Sequence, residues 1–140
     1  MSAELTEVDQ WIYARLHTDG ELGDLVGERI YSEAAPQGTT GRLIIFGYLG
    51  GADRMQSSIR VSYFLYLIRA VAESASFTAV KRAAERIDAV MSIPMEGIDL
   101  DTVQIFSVVR DQAHKRFDQE NGIPVVYLGG IYRIRTQPLV

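Results

Sequence analysis

The stretch Ile59–Ile68 limits what this chain can fold into more than any other. Its residues alternate as a β-strand requires, with successive side chains on opposite faces. One face is Ile59, Val61, Tyr63, Leu65 and Leu67; the other is Arg60, Ser62, Phe64, Tyr66 and Ile68. Both faces carry bulky apolar groups, and burying one such side chain is worth roughly 1.5–3 kcal/mol. A single covering layer would leave much of that term unused. Upstream, Arg42–Leu49 has the same character, with Leu43 and Ile45 on one face and Ile44, Phe46 and Tyr48 on the other. The glycine-rich, polar stretch Gly50–Ser58 between them is expected to be a loop, so the pair predicts an antiparallel hairpin.

The rest of the chain supplies helices and further strands. Leu5, Val8, Ile12 and Leu16, with Trp11 beside them, recur at helical spacing. Glu4, Glu7 and Asp9 complement the positive end of that helix, and Asp19-Gly20 is expected to stop it. Leu22 and Leu25 give a short helical turn ended by Gly27, and Arg29–Ser32 a short strand. Pro36, Gly38 and Gly41 mark a loop. A second long helix follows Ser74 or Ser76, either of which could cap it. Its apolar stripe is Phe77, Val80, Ala84, Ile87 and Met91, and its wet side Lys81, Arg82, Glu85 and Arg86. Val103–Arg110 and Pro124–Arg135 are further strands, joined by a charged loop, Asp111–Gly122. With 140 residues, the expectation is one α+β domain over residues 1–140. A mainly antiparallel four- to five-stranded sheet carries two long helices packed on one face.

That expectation leaves a second apolar set on each strand: Phe64, Tyr66 and Ile68; Phe106 and Val108; Leu128, Tyr132 and Ile134. Large exposed apolar patches mark interfaces, so a homo-oligomer that buries this second face is one solution. A sheet curled on itself, or covered by its loops, is the other.

Catalytic signals are absent. No Gly-x-Ser-x-Gly elbow occurs, and Gly47-Tyr-Leu-Gly50-Gly51 has neither phosphate-loop nor dinucleotide spacing. Asp99-Leu-Asp101 lacks the oxygens and glycine of a calcium loop. The chain has no cysteine, which excludes disulfides and thiolate metal sites. His17 and His114 lie far apart, and His114 sits among charges with no partner that sequence can place. No catalytic residue, metal or cofactor is therefore expected. The longest apolar run, Tyr63–Ile68, is far short of the ~20 residues that span a bilayer. The acidic, polar N-terminus is unlike a signal peptide, and no membrane partner is expected. A formal net charge of -4 argues against tight non-specific binding to nucleic acid. The two polar stretches read either as solvated turns or as docking elements. The candidate interface residues are Asp53, Arg54, Met55, His114, Lys115, Arg116 and Phe117 from those stretches, with Phe64, Tyr66, Phe106 and Tyr132 from the second sheet set.

One segment adds a resemblance. Val26-Gly27-Glu28-Arg29-Ile30-Tyr31, then Pro36-Gln37-Gly38, follows an amphipathic first helix with Trp11 and Leu16. An apolar strand at Leu43–Phe46, a long strand at Ser58–Ile68 and a helix at Phe77–Met91 come next, with Gly130-Ile131-Tyr132-Arg133-Ile134 last. This order of features resembles the tail-completion or tail-terminator proteins of long-tailed phages, across almost the whole chain. The charged segment between the last two long strands is better developed than in shorter relatives.

The resemblance implies a structural role and no enzyme activity. Such proteins form a ring, usually a hexamer, on the head-proximal end of the tail tube. The ring ends tube polymerisation and docks to the neck of the filled head. Implied partners are further copies of the chain, the major tail tube protein and a head-closure or neck protein. DNA would pass through without specific binding, past an acidic bore that repels it. The implied place is the tail-neck junction of a virion assembled in the bacterial cytoplasm. A head-closure or other neck protein of a phage or gene-transfer particle is the alternative. A small oligomeric α+β enzyme or ligand-binding domain is a third reading, weakened by the lack of convergent polar groups.

Overall fold

The computed structural model describes residues 3–56 and 59–139. Three helices, α1 (Ala3–His17), α2 (Gly20–Val26) and α3 (Thr78–Val90), accompany six strands. The strands are β1 (Ile30–Ser32), β2 (Leu43–Gln56), β3 (Ile59–Glu73), β4 (Ile98–Asp99), β5 (Val103–Glu120) and β6 (Ile123–Pro138). They form one mixed sheet in the order β1-β2-β3-β6-β5-β4. Every neighbouring pair is antiparallel except β1 and β2, which run parallel.

The architecture is α+β, with more strands than the sequence suggested and a short third helix. The expected hairpin is present, but neither polar stretch is a loop. β2 runs on to Gln56, pairing Gly51 with Phe64 and Arg54 with Val61. Ser57 and Ser58 lie outside the described residues. Gly51, one of the glycines that suggested a loop, allows close strand packing instead: a Cβ there would sit 2.2 Å from the Tyr63 carbonyl oxygen. Likewise Asp111–Glu120 continues β5, paired along β6 to Glu120↔Ile123. This end of β5 is an exposed edge, so neither of its faces needs apolar residues. Asn121 (φ 54°) and Gly122 (φ 79°) close the hairpin with two positive-φ residues, the type I′ preference of Asn-Gly.

Helix termini also differ from expectation. Asp19 caps α2 instead of stopping α1, its carboxylate accepting from the Leu22 N–H at 3.0 Å. Phe77 stands at the cap position of α3 without a side-chain cap. Ser76 Oγ still accepts from the Thr78 N–H at 3.2 Å.

The helices cover one face of the sheet. Val8, Ile12 and Leu16 of α1 and Val80, Ala83 and Ile87 of α3 meet Ile44, Phe46, Tyr66, Ile68 and Ile134 in one core. This corrects the assignment of Phe64, Tyr66 and Tyr132 to an interface. They face the helices and are 6%, 0% and 2% exposed. Sequence alternation separates two faces but does not say which one the helices choose.

Polar contacts pin this layer. The Tyr66 hydroxyl donates to Asp9 of α1 at 3.0 Å, and the Tyr132 hydroxyl to Asp88 of α3 at 3.0 Å. Burial, reinforced by the neighbouring carboxylate, raises both phenols above their ordinary value. Arg86 of α3 reaches Asp19 with two bonds of 2.9 and 2.6 Å. The hydrogen bond from Arg86 holds the Asp19 carboxyl below its usual range.

Two stability outcomes follow from these contacts. Asp19→Ala removes a cap and a bidentate ion pair, and is expected to cost about 1–3 kcal/mol at neutral pH. Because the folded carboxyl titrates below the unfolded value near 3.8, its contribution is present above that pH and lost as pH falls through the folded value. Urea titrations should therefore show the gap between wild type and variant closing in acid. In β6, a Cβ on Gly129 would lie 2.0 Å from the Ile68 carbonyl oxygen. Gly129→Ala should lower the thermal midpoint more than Gly20→Ala, where nothing lies within 4 Å.

Candidate functional site

The face of the sheet turned away from the helices is the surface most unlike an ordinary solvated sheet. Following the strand register, its residues are Val61, Tyr63, Leu65, Leu67, Arg69 and Val71 on β3 and Tyr127, Ile131, Arg133 and Arg135 on β6. One end is covered: Leu43, Val71, Val125 and Tyr127 form a small cluster with Ala35, Tyr31 and Ile45 packed against it. Across the middle, Leu65, Leu67 and Ile131 are only half-buried.

Charged groups are interleaved with this apolar surface. At the covered end, Arg69 lies over the Tyr127 ring at 4.4 Å and Arg116 lies 5.8 Å from the same ring. The Tyr127 hydroxyl donates to Glu120 at 2.6 Å, and Arg116 pairs with Asp118 at 2.9 Å. His114 Nε2 lies 3.3 Å from Arg69 Nη1. At the opposite end, Arg133 lies over the Tyr63 ring at 4.6 Å and donates to Asp111 at 2.7 Å. Two irregularities of β5, between Ile105 and Ser107 and between Arg110 and Gln112, interrupt its register with β6.

The candidate residues read from sequence divide among several places. Arg54 and Phe106 come together, both lining the open cleft beside Arg133. His114 and Arg116 come together around Arg69 and Tyr127. Asp53 lies on the helix side, where Ser62 Oγ donates to it at 2.6 Å. Lys115 also lies there, its ammonium 4.5 Å from the Phe77 ring centre. Met55 and Phe117 are 69% and 50% exposed, near the far ends of their strands. Phe64, Tyr66 and Tyr132 belong to the core. Sequence reasoning missed Tyr63, Arg69, Tyr127, Arg133 and Arg135. The available signal was strand alternation: Arg133 and Arg135 flank the buried Ile134, which sends both arginines to the same face.

The arrangement holds charges in place through ion pairs and stacking on aromatic rings. Among the described residues, no three His, Asp or Glu side chains gather to hold a metal ion. No described helix is long and apolar enough to cross a membrane.

His114 offers a direct probe of the covered end. Burial first, then the charges of Arg69 and Arg116, push its imidazole below the ordinary value of 6.5. Between the folded value and 6.5 the unfolded chain binds a proton that the folded chain refuses. Stability should therefore fall as pH drops through that window and level off below it. Arg69→Gln is expected to raise the His114 titration midpoint, measured by NMR.

Comparison with known proteins adds a family to this surface. The family model described as "Tail completion protein gp17" matches residues 10–129. Among curated proteins, none matches in sequence. A chain from a solved structure, "Virion of native gene transfer agent (GTA) particle", has the same fold at a TM-score of 0.80 and 20% identity. The match covers 98% of this chain and 99% of that one. With the family match spanning most of the sequence, the chain belongs to the tail completion protein gp17 family and is a structural protein of a phage-type tail.

Proposed function

We propose that the protein caps the head-proximal end of a tail tube as a ring of identical copies, a hexamer. In this reading the chain acts as one domain. The ring ends tube polymerisation and gives the neck of the filled head its docking surface. The supporting observation is the helix-free sheet face, where Leu65, Leu67 and Ile131 stay half-buried and uncovered. Such a surface suits contact with another copy or with the tube. The exposed end of β5, with its alternating charges and Phe117, suits an axial contact with the tube or with a head-closure protein. DNA would pass through the ring without specific binding, in keeping with the net charge of -4. The fold shared with a chain of a gene transfer agent virion supports a place in such a particle.

Deleting the reading frame and imaging the particles tests the proposal. Overlong tails, or tails that never join full heads, are expected; normal particles would overturn it. A single residue gives a finer test. Phe117→Ser changes an exposed position, so the isolated fold should shift by no more than about 0.5 kcal/mol. Complementation of the deletion should nonetheless fall, if the β5–β6 hairpin docks as proposed.

A further inference from the structure

An open cleft of about 390 Å³ lies at the end of the helix-free face away from the Tyr127 cluster, lined by Arg54, Val61, Tyr63, Phe106, Arg133 and Arg135. Bulges re-aim side chains and concentrate beside functional sites, and both irregularities of β5 serve this cleft. The first leaves Phe106 without a register partner, and Phe106 lines the cleft. The second leaves Asp111 unpaired in the ladder, and its carboxylate takes the Arg133 Nε–H at 2.7 Å. Arg133 is thus fixed twice, by Asp111 and by its stacking on Tyr63 at 4.6 Å. Arg54 and Arg135 have no acid partner among the described residues. Three guanidiniums therefore line one cleft with one carboxylate to balance them.

We propose that this cleft is an anion-receiving site, and that it takes a short acidic segment of a protein partner, with carboxylates engaging Arg54 and Arg135. Guanidinium forks match carboxylates with two parallel hydrogen bonds. Arg133, already oriented, supplies a fixed positive wall, while Tyr63, Phe106 and Val61 supply apolar contact. Arginine and aromatic side chains together are the composition of a protein interface. Duplex DNA fits less well. It would need an extended basic track, whereas this face also carries Asp118 and Glu120, and the chain is negative overall. The cleft is complete within one chain, so the inference does not depend on ring formation.

Fluorescence anisotropy with a labelled Gly-Asp-Glu-Asp-Gly peptide, beside a labelled short DNA duplex, tests the site. The wild-type chain should bind the peptide more tightly than the duplex. Arg54→Ala with Arg135→Ala should weaken peptide binding by roughly tenfold or more, the scale of an interface hot spot. Arg82→Ala, on the exposed side of α3, should leave it unchanged. The double lysine variant keeps the charge but loses the fork, and should recover only part of the affinity. Thermal midpoints of all variants should match wild type, which separates binding from folding. No peptide binding by the wild type, or equal binding by the double alanine variant, would overturn the proposal. Tighter duplex binding with the same arginine dependence would reassign the cleft to DNA.

Discussion

Tyr66 and Tyr132 face each other across β3 and β6, and the helix layer is fastened to the sheet through them. Each ring is buried in the core and each hydroxyl reaches a carboxylate on a different helix, Asp9 of α1 and Asp88 of α3. A buried hydroxyl without a partner costs roughly 1–3 kcal/mol, so the two helices have little freedom to slide over the sheet. Apolar packing alone tolerates such sliding, because one aliphatic contact substitutes for another. The two hydroxyls turn a generic greasy contact into a register between layers. Arg86 and Asp19 add a second tie, joining α3 to the start of α2.

With the helices fixed on one side, the other side of the sheet has to meet different demands along its length. At one end the chain itself answers them: the segment after β1 lays Ala35 against Leu43, Val71, Val125 and Tyr127. In the middle the apolar side chains of Leu65, Leu67 and Ile131 stay half-buried. At the far end arginines take over, stacked on aromatic rings or left facing a cleft. This gradient explains how a chain with few acids on that face can still be negative overall. Much of its negative charge sits on helices and connections, as with Glu4, Glu7, Glu21, Asp24 and Glu85.

What sequence reveals here depends on whether a local rule decides the outcome. The alternation of Ile59–Ile68 decides that a strand exists and that both its faces matter, because the period of two follows from backbone geometry. It cannot decide which set turns toward the helices, and Phe64, Tyr66 and Tyr132 fell on the opposite side from the one assigned to them. The far halves of β2 and β5 were hidden for another reason. Gly50, Gly51 and the charges from Arg110 to Glu120 contradict average strand composition. Exposed edge strands, however, owe their existence to backbone pairing and not to burial. The Asn121-Gly122 pair was the one local cue that a hairpin turned there. At the candidate surface, Arg54, His114 and Arg116 were legible as residues of the polar stretches, and Phe106 as a member of the second apolar set. The partners that give them geometry, Tyr63, Arg69, Tyr127 and Arg133, come from remote strands, and no local pattern announces a pairing across the sheet.

The parallel setting of β1 has a consequence for shape. A parallel neighbour cannot be reached by a tight turn, so residues 33–42 must cross over before β2 begins. Among the described residues, β1 pairs with Ile44–Phe46 at one border of the sheet, with the crossover beside it, and β4 pairs with Gln104 and Ile105 at the other. A contact between one border of a copy and the other border of the next is heterologous, repeating head to tail instead of pairing like with like. Copies joined head to tail in that way would all point the same way, so a closed set of them would have a distinct top and bottom. The unlikeness of the two borders begins with the direction of a three-residue strand, β1.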